Sequence, residues 1–382
     1  MSRSLIDARL DLDRSVMIQK IHHPGELHRS GIVVVMVEVK DEQGVRRALE
    51  TALGRTLPGG WRATLQPAGP QDGGIGRVLD LVSPTGDRCR AHVEFRTRAE
   101  PADVYRQLPW LRQFGAALLV APRISPRTRG ILTHGGISWL ETDGDCRIAI
   151  GGLFIERSLG GRRQREPGAA ETRFVADLFS GGALRIVRWL LMEPERSWTL
   201  TDMASRAGLT IGFVSRTFKT LARDAYVERE RGSTRLLDRD ALLDGWVAAP
   251  APADVPLERV SLADGPSAVL RRVRELEAPS PYAITAEAAA EQIAPHARFS
   301  RVEIYVDDPE AWDRALSLTP VPRGGNVVLI RPVDRGVFDG VFERDGLSLA
   351  SRPQLYVDLV RRGGAAAEAA AFIRERSVLW QP

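Results

Sequence analysis

The chain is poor in lysine, cysteine and long apolar runs. Only Lys20, Lys40 and Lys219 are lysine, so 50 of the 53 basic residues are arginine. Two cysteines, Cys89 and Cys146, are too few and too far apart for a disulfide framework or a zinc site. The apolar run Ala116–Ala121 (AALLVA) is strand-sized and far below the ~18 residues of a membrane span. The first thirty residues are polar and charged and lack the apolar region of a secretory signal. No phosphate-binding loop or dinucleotide fingerprint occurs. His92 and His134 are isolated, and the pair His22-His23 sits in a polar leader. The expectation is a cytoplasmic protein with no membrane contact, no metal and no cofactor.

What is present can fill cores: 382 residues, 43% hydrophobic and 27% charged, enough for two to four domains. The net charge of +4 is a weak pointer to an anionic partner. Arginine enrichment beside abundant alanine and glycine suits a GC-rich coding bias, so the placement of charge carries more weight than its total. Alternating strand and helix patterns predict an α/β (α+β multidomain) protein. Residues 1–30 read as a loosely ordered leader. Residues 31–157 form an α/β domain that opens on a strand at Ile32–Val37. Residues 158–170 (SLGGRRQREPGAA) are a linker, 171–247 a helical domain, 248–256 an Ala/Pro linker, and 257–382 a second α/β domain.

The segment 171–247 reads helix, helix, tight turn, helix, hairpin. Gly182–Met192 carries Leu184, Val187, Leu190 and Leu191. Thr199 caps a short helix that ends at Gly208, and Ile211–Arg223 follows with Val214, Phe218 and Leu221 on one face. A hairpin turns at Arg231-Gly232-Ser233. This order predicts a winged helix-turn-helix whose third helix enters the major groove of double-stranded DNA. Residues 206–235 hold seven basic and three acidic side chains, whereas 171–247 balance at twelve and eleven. Positive charge thus gathers where phosphates would lie. Thr210, Gly212, Ser215 and Arg216 are the expected base readers, with Arg216 placed for a bidentate contact to guanine. Lys219, Arg223, Arg231, Ser233 and Arg235 are the expected phosphate or minor-groove contacts. The alternative use of such a module is protein contact, with solvated arginines.

In the first α/β domain, Asp80 lies in one predicted strand, Glu94-Phe95-Arg96 in the next, and Gln107 in the following helix. Over about residues 45–157 this pattern resembles the restriction-endonuclease-like family, with its PD-(D/E)XK signature of an acid and then acid-x-lysine on neighbouring strands. The resemblance implies carboxylates that hold a divalent metal and a lysine that positions the attacking water. Arg96 stands at the lysine position and cannot serve as a base. A degenerate, nuclease-like domain that binds single-stranded or damaged DNA, or serves as scaffold, is therefore expected. A metal-dependent nuclease guided by the winged helix is the alternative.

The last domain contains PYAITAEAAA, VEIYVDD, GGNVVLIRP and PQLYVDLVRRGGAAAEAAAFIRER. Together these runs resemble the AbiEi family over about residues 171–382. That family is described as antitoxins of type IV toxin–antitoxin pairs, winged-helix regulators with an α/β C-terminal domain. The resemblance implies autoregulation at the chain's own promoter and a nucleotidyltransferase toxin as partner. An N-terminal nuclease-like domain departs from the family's simplest members. Gln354, Tyr356 and Asp358 either form a polar site or pack at a helix edge. The reading is a sequence-specific, non-enzymatic, homodimeric transcription regulator whose outer domains serve dimerisation or sensing; an antitoxin that autorepresses its operon is the second reading.

Overall fold

The computed structural model describes residues 42–69, 76–142, 144–158, 178–262, 265–294, 299–376 and 378–380. The leader 1–30, the strand expected at Ile32–Val37 and all of the linker 158–170 except Ser158 lie outside them. The chain divides into two compact units, residues 1–164 and 165–382. Both are mixed α/β, and no helix among the described residues is long and apolar enough to cross a membrane.

In the first unit, helix α1 (Glu42–Thr56) precedes an antiparallel meander of β1 (Arg62–Pro67), β2 (Arg77–Val82) and β3 (Arg88–Phe95). Helix α2 (Pro101–Arg112) crosses to β4 (Ala117–Ala121), and α3 (Pro126–His134) crosses to β5 (Ser138–Glu141). Strands β3, β4 and β5 are parallel; β6 (Cys146–Ile150) and β7 (Leu153–Arg157) close the seven-stranded sheet in antiparallel fashion. Every residue of β4 is buried, as expected for a parallel strand covered on both faces. The two-residue period of β3 sends Ala91, Val93 and Phe95 into a cluster with Leu49 and Leu53 of α1. His92 and Glu94 face the opposite way, His92 against the Phe114 ring just after α2. Ser125 caps α3, accepting from the Thr128 N–H at 3.1 Å, with Pro126 at the first helical position.

The second unit begins with three helices, α4 (Gly181–Met192), α5 (Leu200–Ala207) and α6 (Ile211–Arg223). A hairpin of β8 (Val227–Glu230) and β9 (Ser233–Leu236) and a helix α7 (Arg239–Ala248) follow. The Ala/Pro segment 248–256, expected as a linker, is only in part a connection. Strand β10 (Val255–Val260) starts within it and pairs antiparallel with β14 (Val327–Arg331), Val255 opposite Arg331. Strands β11 (Tyr282–Thr285), β12 (Val302–Val306), β13 (Thr319–Pro320), β15 (Phe342–Arg344) and β16 (Leu347–Leu349) complete a second seven-stranded sheet. Its order is β13-β10-β14-β12-β11-β16-β15. Helices α8 (Pro266–Glu275), α9 (Ala286–Ile293), α10 (Pro309–Leu316), α11 (Arg352–Arg362) and α12 (Gly364–Glu375) accompany it.

The helical part and the sheet, expected as separate domains, share one core. Leu184, Val187, Phe218 and Trp246 belong to the same buried cluster as Ile304, Leu329, Leu355 and Val357. Polar contacts follow the same seam. Arg188 of α4 is 3% exposed, and its Nε donates to Gln354 Oε1 at 3.0 Å. Gln354 Nε2 donates to Asp358 at 2.8 Å, and Asp358 also accepts from Thr285 (2.6 Å) and Tyr305 (3.2 Å). Arg361 donates to the carbonyls of Trp246 and Ala249, and Arg374 binds Asp240 and Asp244 of α7. Gln354 and Asp358 thus join in one polar site, whereas Tyr356 lies apart from it and accepts from Arg374 at 3.0 Å.

Two outcomes follow from this seam. Phe218→Ala and Ile304→Ala, both fully buried, should lower a single unfolding transition, by about 3–5 and about 2–5 kcal/mol, leaving that of residues 42–158 in place. Peptide-resolved hydrogen exchange in urea reads this; separate transitions for the two variants would contradict a shared core. Burial also pushes the Asp358 carboxyl up to about 6. The folded state then holds a proton that the unfolded chain has already lost. The group's contribution to stability is therefore highest below the unfolded value and falls as pH rises towards 6, by up to about 3 kcal/mol. The stability of Asp358→Asn relative to the native chain should accordingly rise between about pH 4.5 and about pH 7.5. A pH-independent difference in urea midpoints would refute it.

Candidate nucleic-acid interface

Helix α5 owes its bounds to two local signals. Thr199 Oγ1 accepts from the Asp202 N–H at 3.1 Å, and Gly208 ends the helix at φ +64°, a left-handed conformation costly for a residue with a Cβ. Thr210 then caps α6 by accepting from the Phe213 N–H at 3.3 Å. Val214, Thr217, Phe218 and Leu221 bury one face of α6. That burial fixes the opposite face outward: Thr210, Gly212, Arg216, Lys219 and Arg223 are exposed and Ser215 is half-buried. A Cβ placed on Gly212 would meet only the Arg216 guanidinium, at 3.8 Å, so the backbone there is open to close approach.

The wing is held by its own ladder and by a third stretch of chain. Trp198, fully buried, exchanges two backbone hydrogen bonds of 2.8 Å with Thr234 of β9. The turn is Arg231-Gly232, with Gly232 at φ +87° and Glu230 opposite Ser233. Ser233 is half-buried and Arg231 and Arg235 are exposed. This register sets Glu228 across from Arg235, and the two form an ion pair; Glu230 lies 3.8 Å from the same guanidinium. Arg223 is paired with Asp224 at 3.0 Å. Among the described residues no ion pair engages Arg216, Lys219, Arg229 or Arg231. The seven positive charges counted along 206–235 are thus not equivalent. Four project uncompensated from α6 and the wing tip, and two are largely neutralised in place. The seventh, Arg206, stacks on the Trp189 ring at 4.9 Å and lies 3.8 Å from Glu193.

Two residues of this surface escaped the sequence reading. Ile211, at the start of α6, is 51% exposed, an unusual setting for a large apolar side chain beside a basic helix. Its spacing, three residues before Val214 and seven before Phe218, places it on the apolar stripe, so periodicity gives no sign of its exposure; it is exposed as the first residue of the helix. Arg229 entered the charge count, but only the observed register places it as exposed and unpaired on the wing.

The four residues of the nuclease-like pattern are not brought together as one acidic site. Asp80 stands opposite Arg90, accepts from its Nε at 2.5 Å, and also accepts from Gln66. Glu94 is four residues further along β3, about 14 Å at ~3.4 Å per residue. Glu94 is 1% exposed, and burial raises its pKa against the opposing pull of Arg96. Arg96 bridges Glu94 and Gln107 of α2, so these three do form one cluster. The metal-holding acid pair that the nuclease resemblance implies is not formed by Asp80 and Glu94, because the antiparallel register of β2 and β3 separates the two carboxylates. Among the described residues no group of three metal-ligating side chains occurs.

No curated protein and no solved structure matches the chain. The C-terminal part, residues 235–379, does match a family model, that of the "Transcriptional regulator, AbiEi antitoxin, Type IV TA system" family. The match runs from the second wing strand through α12, and so supports AbiEi-family character for the sheet-bearing part of the second unit.

Proposed function

We propose that this chain is a sequence-specific, non-enzymatic DNA-binding transcription regulator that acts through its winged helix-turn-helix. One observation carries the reading: the exposed face of α6 and the wing tip present Arg216, Lys219, Arg229 and Arg231 without intramolecular partners, on a helix whose other face is locked into the core. A helix of this kind, preceded by a glycine turn and followed by a basic hairpin, fits the major groove, with the wing over the adjacent backbone. Arg216 reads a guanine edge; Thr210, Ser215 and the open backbone at Gly212 lie against neighbouring bases. Ile211 supplies an apolar contact suited to a thymine methyl group. Lys219 and Arg231 bind phosphates. Arg223 and Arg235, expected as equal contributors, contribute less because Asp224 and Glu228 already hold them.

The family match at residues 235–379 favours a more specific version. In it the regulator is an antitoxin that binds its own promoter as a homodimer and is encoded beside a nucleotidyltransferase toxin. The search for such a neighbouring gene separates this version from a stand-alone regulator. For the first unit we propose a non-catalytic role in sensing or assembly, since the β2–β3 register keeps Asp80 away from Glu94.

Fluorescence anisotropy of the full chain on its promoter fragment, against random duplex competitor, tests the reading. No preference for any fragment at moderate salt would sink it. Arg216→Ala should cost about 1–3 kcal/mol of specific affinity and relax one base position. Lys219→Ala should weaken binding to all duplexes alike and reduce the salt slope by about one unit. Arg231→Ala should weaken binding more than Arg235→Ala, and Glu228→Gln should strengthen it by freeing Arg235. Equal losses from both wing arginines would remove the electrostatic division drawn here.

A further inference from the structure

A cavity of about 160 Å³ opens where the N-terminus of α4 meets the segments Pro252–Asp254 and Pro332–Asp334. It is smaller than the ~300–1,000 Å³ of clefts for drug-sized ligands. Its lining combines one cationic side chain, two carboxylates and an apolar wall: Arg188, Asp254, Asp334, Leu184, Pro332 and Val337. Arg188 is the feature that calls for a ligand. It is 97% removed from solvent, yet its Nη1 has no hydrogen-bond partner among the described residues. The nearest carboxylate oxygen, Asp334 Oδ1, is 3.8 Å away and is itself engaged by Arg185 at 2.9 Å and by the Gly336 N–H at 2.7 Å. A buried guanidinium N–H without an acceptor is costly and rare in a native protein. Ser180 and Gly181, at the start of α4, line the same wall, and Ser180 makes no side-chain cap bond to the first turn.

Across the cavity stands Asp254. One of its oxygens accepts from the Val333 N–H at 2.8 Å, which ties the two loop segments together. Arg188 acts on Asp254 electrostatically but does not hydrogen-bond to it. A small anion alone would satisfy Arg188 and be repelled by Asp254. A small cation would do the reverse. Both walls are satisfied together by a molecule carrying an anionic and a cationic group, with an apolar body against Leu184, Pro332 and Val337.

We propose that this cavity binds a small α-amino acid with an apolar side chain. Its carboxylate accepts from Arg188 and the α4 N-terminus, and its ammonium group donates to Asp254. The site joins the helix that opens the winged-helix core to two loops of the sheet-bearing half, so occupancy stiffens the seam between them. Binding itself does not depend on the DNA-binding reading and is measured without DNA.

Isothermal titration calorimetry and thermal melts of the full chain, with L-leucine, L-valine and L-methionine at up to about 10 mM, test the proposal. At least one is expected to bind and raise the melting temperature. 4-Methylpentanoate and 3-methylbutylamine, which each lack one charge of leucine, should bind at least about tenfold more weakly than leucine if leucine is the ligand. Arg188→Met should abolish binding. Should that variant fail to fold, Asp254→Asn keeps the question open to decision: it should weaken amino-acid binding about tenfold while 4-methylpentanoate, no longer repelled by Asp254, binds at least as well as before. No binding by any of the three amino acids, 4-methylpentanoate binding as tightly as leucine, or unchanged amino-acid affinity in Asp254→Asn would each overturn it.

Discussion

The second unit is organised around a single buried guanidinium. Arg188 sits on α4, the helix that opens the winged-helix core, and reaches Gln354 on α11 of the sheet-bearing half. Gln354 passes the connection to Asp358, which gathers Thr285 of β11 and Tyr305 of β12. A charge in such a place is costly to bury, and removing one partner of the set leaves the others uncompensated. The orientation of α4 against the sheet is therefore fixed by hydrogen-bond directionality, while the apolar cluster around it supplies most of the stabilisation. Helix α6 inherits this constraint, because it packs on the same core through Val214, Phe218 and Leu221.

Much of the helical module was legible in the sequence because its determinants are local. Thr199, Gly208 and Thr210 act within four residues of themselves, and the Val214–Phe218–Leu221 spacing shows which face is inward. The parts that could not be read depend on distant partners. Val255 and Pro256 look like linker residues until Arg331 and Ile330 pair with them. Asp358 appears as an ordinary helical acid, and only Thr285 and Tyr305, more than fifty residues earlier, make it a buried hub. Helix α7 does not stand out in the sequence although Asp238 caps it, accepting from the Ala241 N–H at 2.9 Å, because it is short, carries Gly245 and runs straight into the Ala/Pro segment.

Register decided the two places where candidate sites changed meaning. The wing turn was expected to span Arg231-Gly232-Ser233. A turn of two residues shifts the ladder, and a one-residue shift exchanges the faces of a strand. Glu228 then meets Arg235, and a presumed phosphate ligand becomes half of an ion pair. In the first unit the same consideration separates Asp80 from Glu94. The order of strands and helices expected for residues 45–157 is present there, including the crossover through α2. Topology was readable from pattern; the juxtaposition of two carboxylates was not, since it rests on which residues of β2 and β3 face each other.

Strand β10 has a consequence for how the molecule is turned over in the cell. Only six residues separate it from the end of α7, and it is stitched into the interior of a sheet, so the stretch between the two halves offers a protease little slack chain in the native state. Residues 250–253 are exposed, and extending the accessible stretch beyond them requires fraying of the β10–β14 ladder. Loss of that ladder exposes the core the two halves share, so cleavage at this point removes the helical and the family-matched halves together.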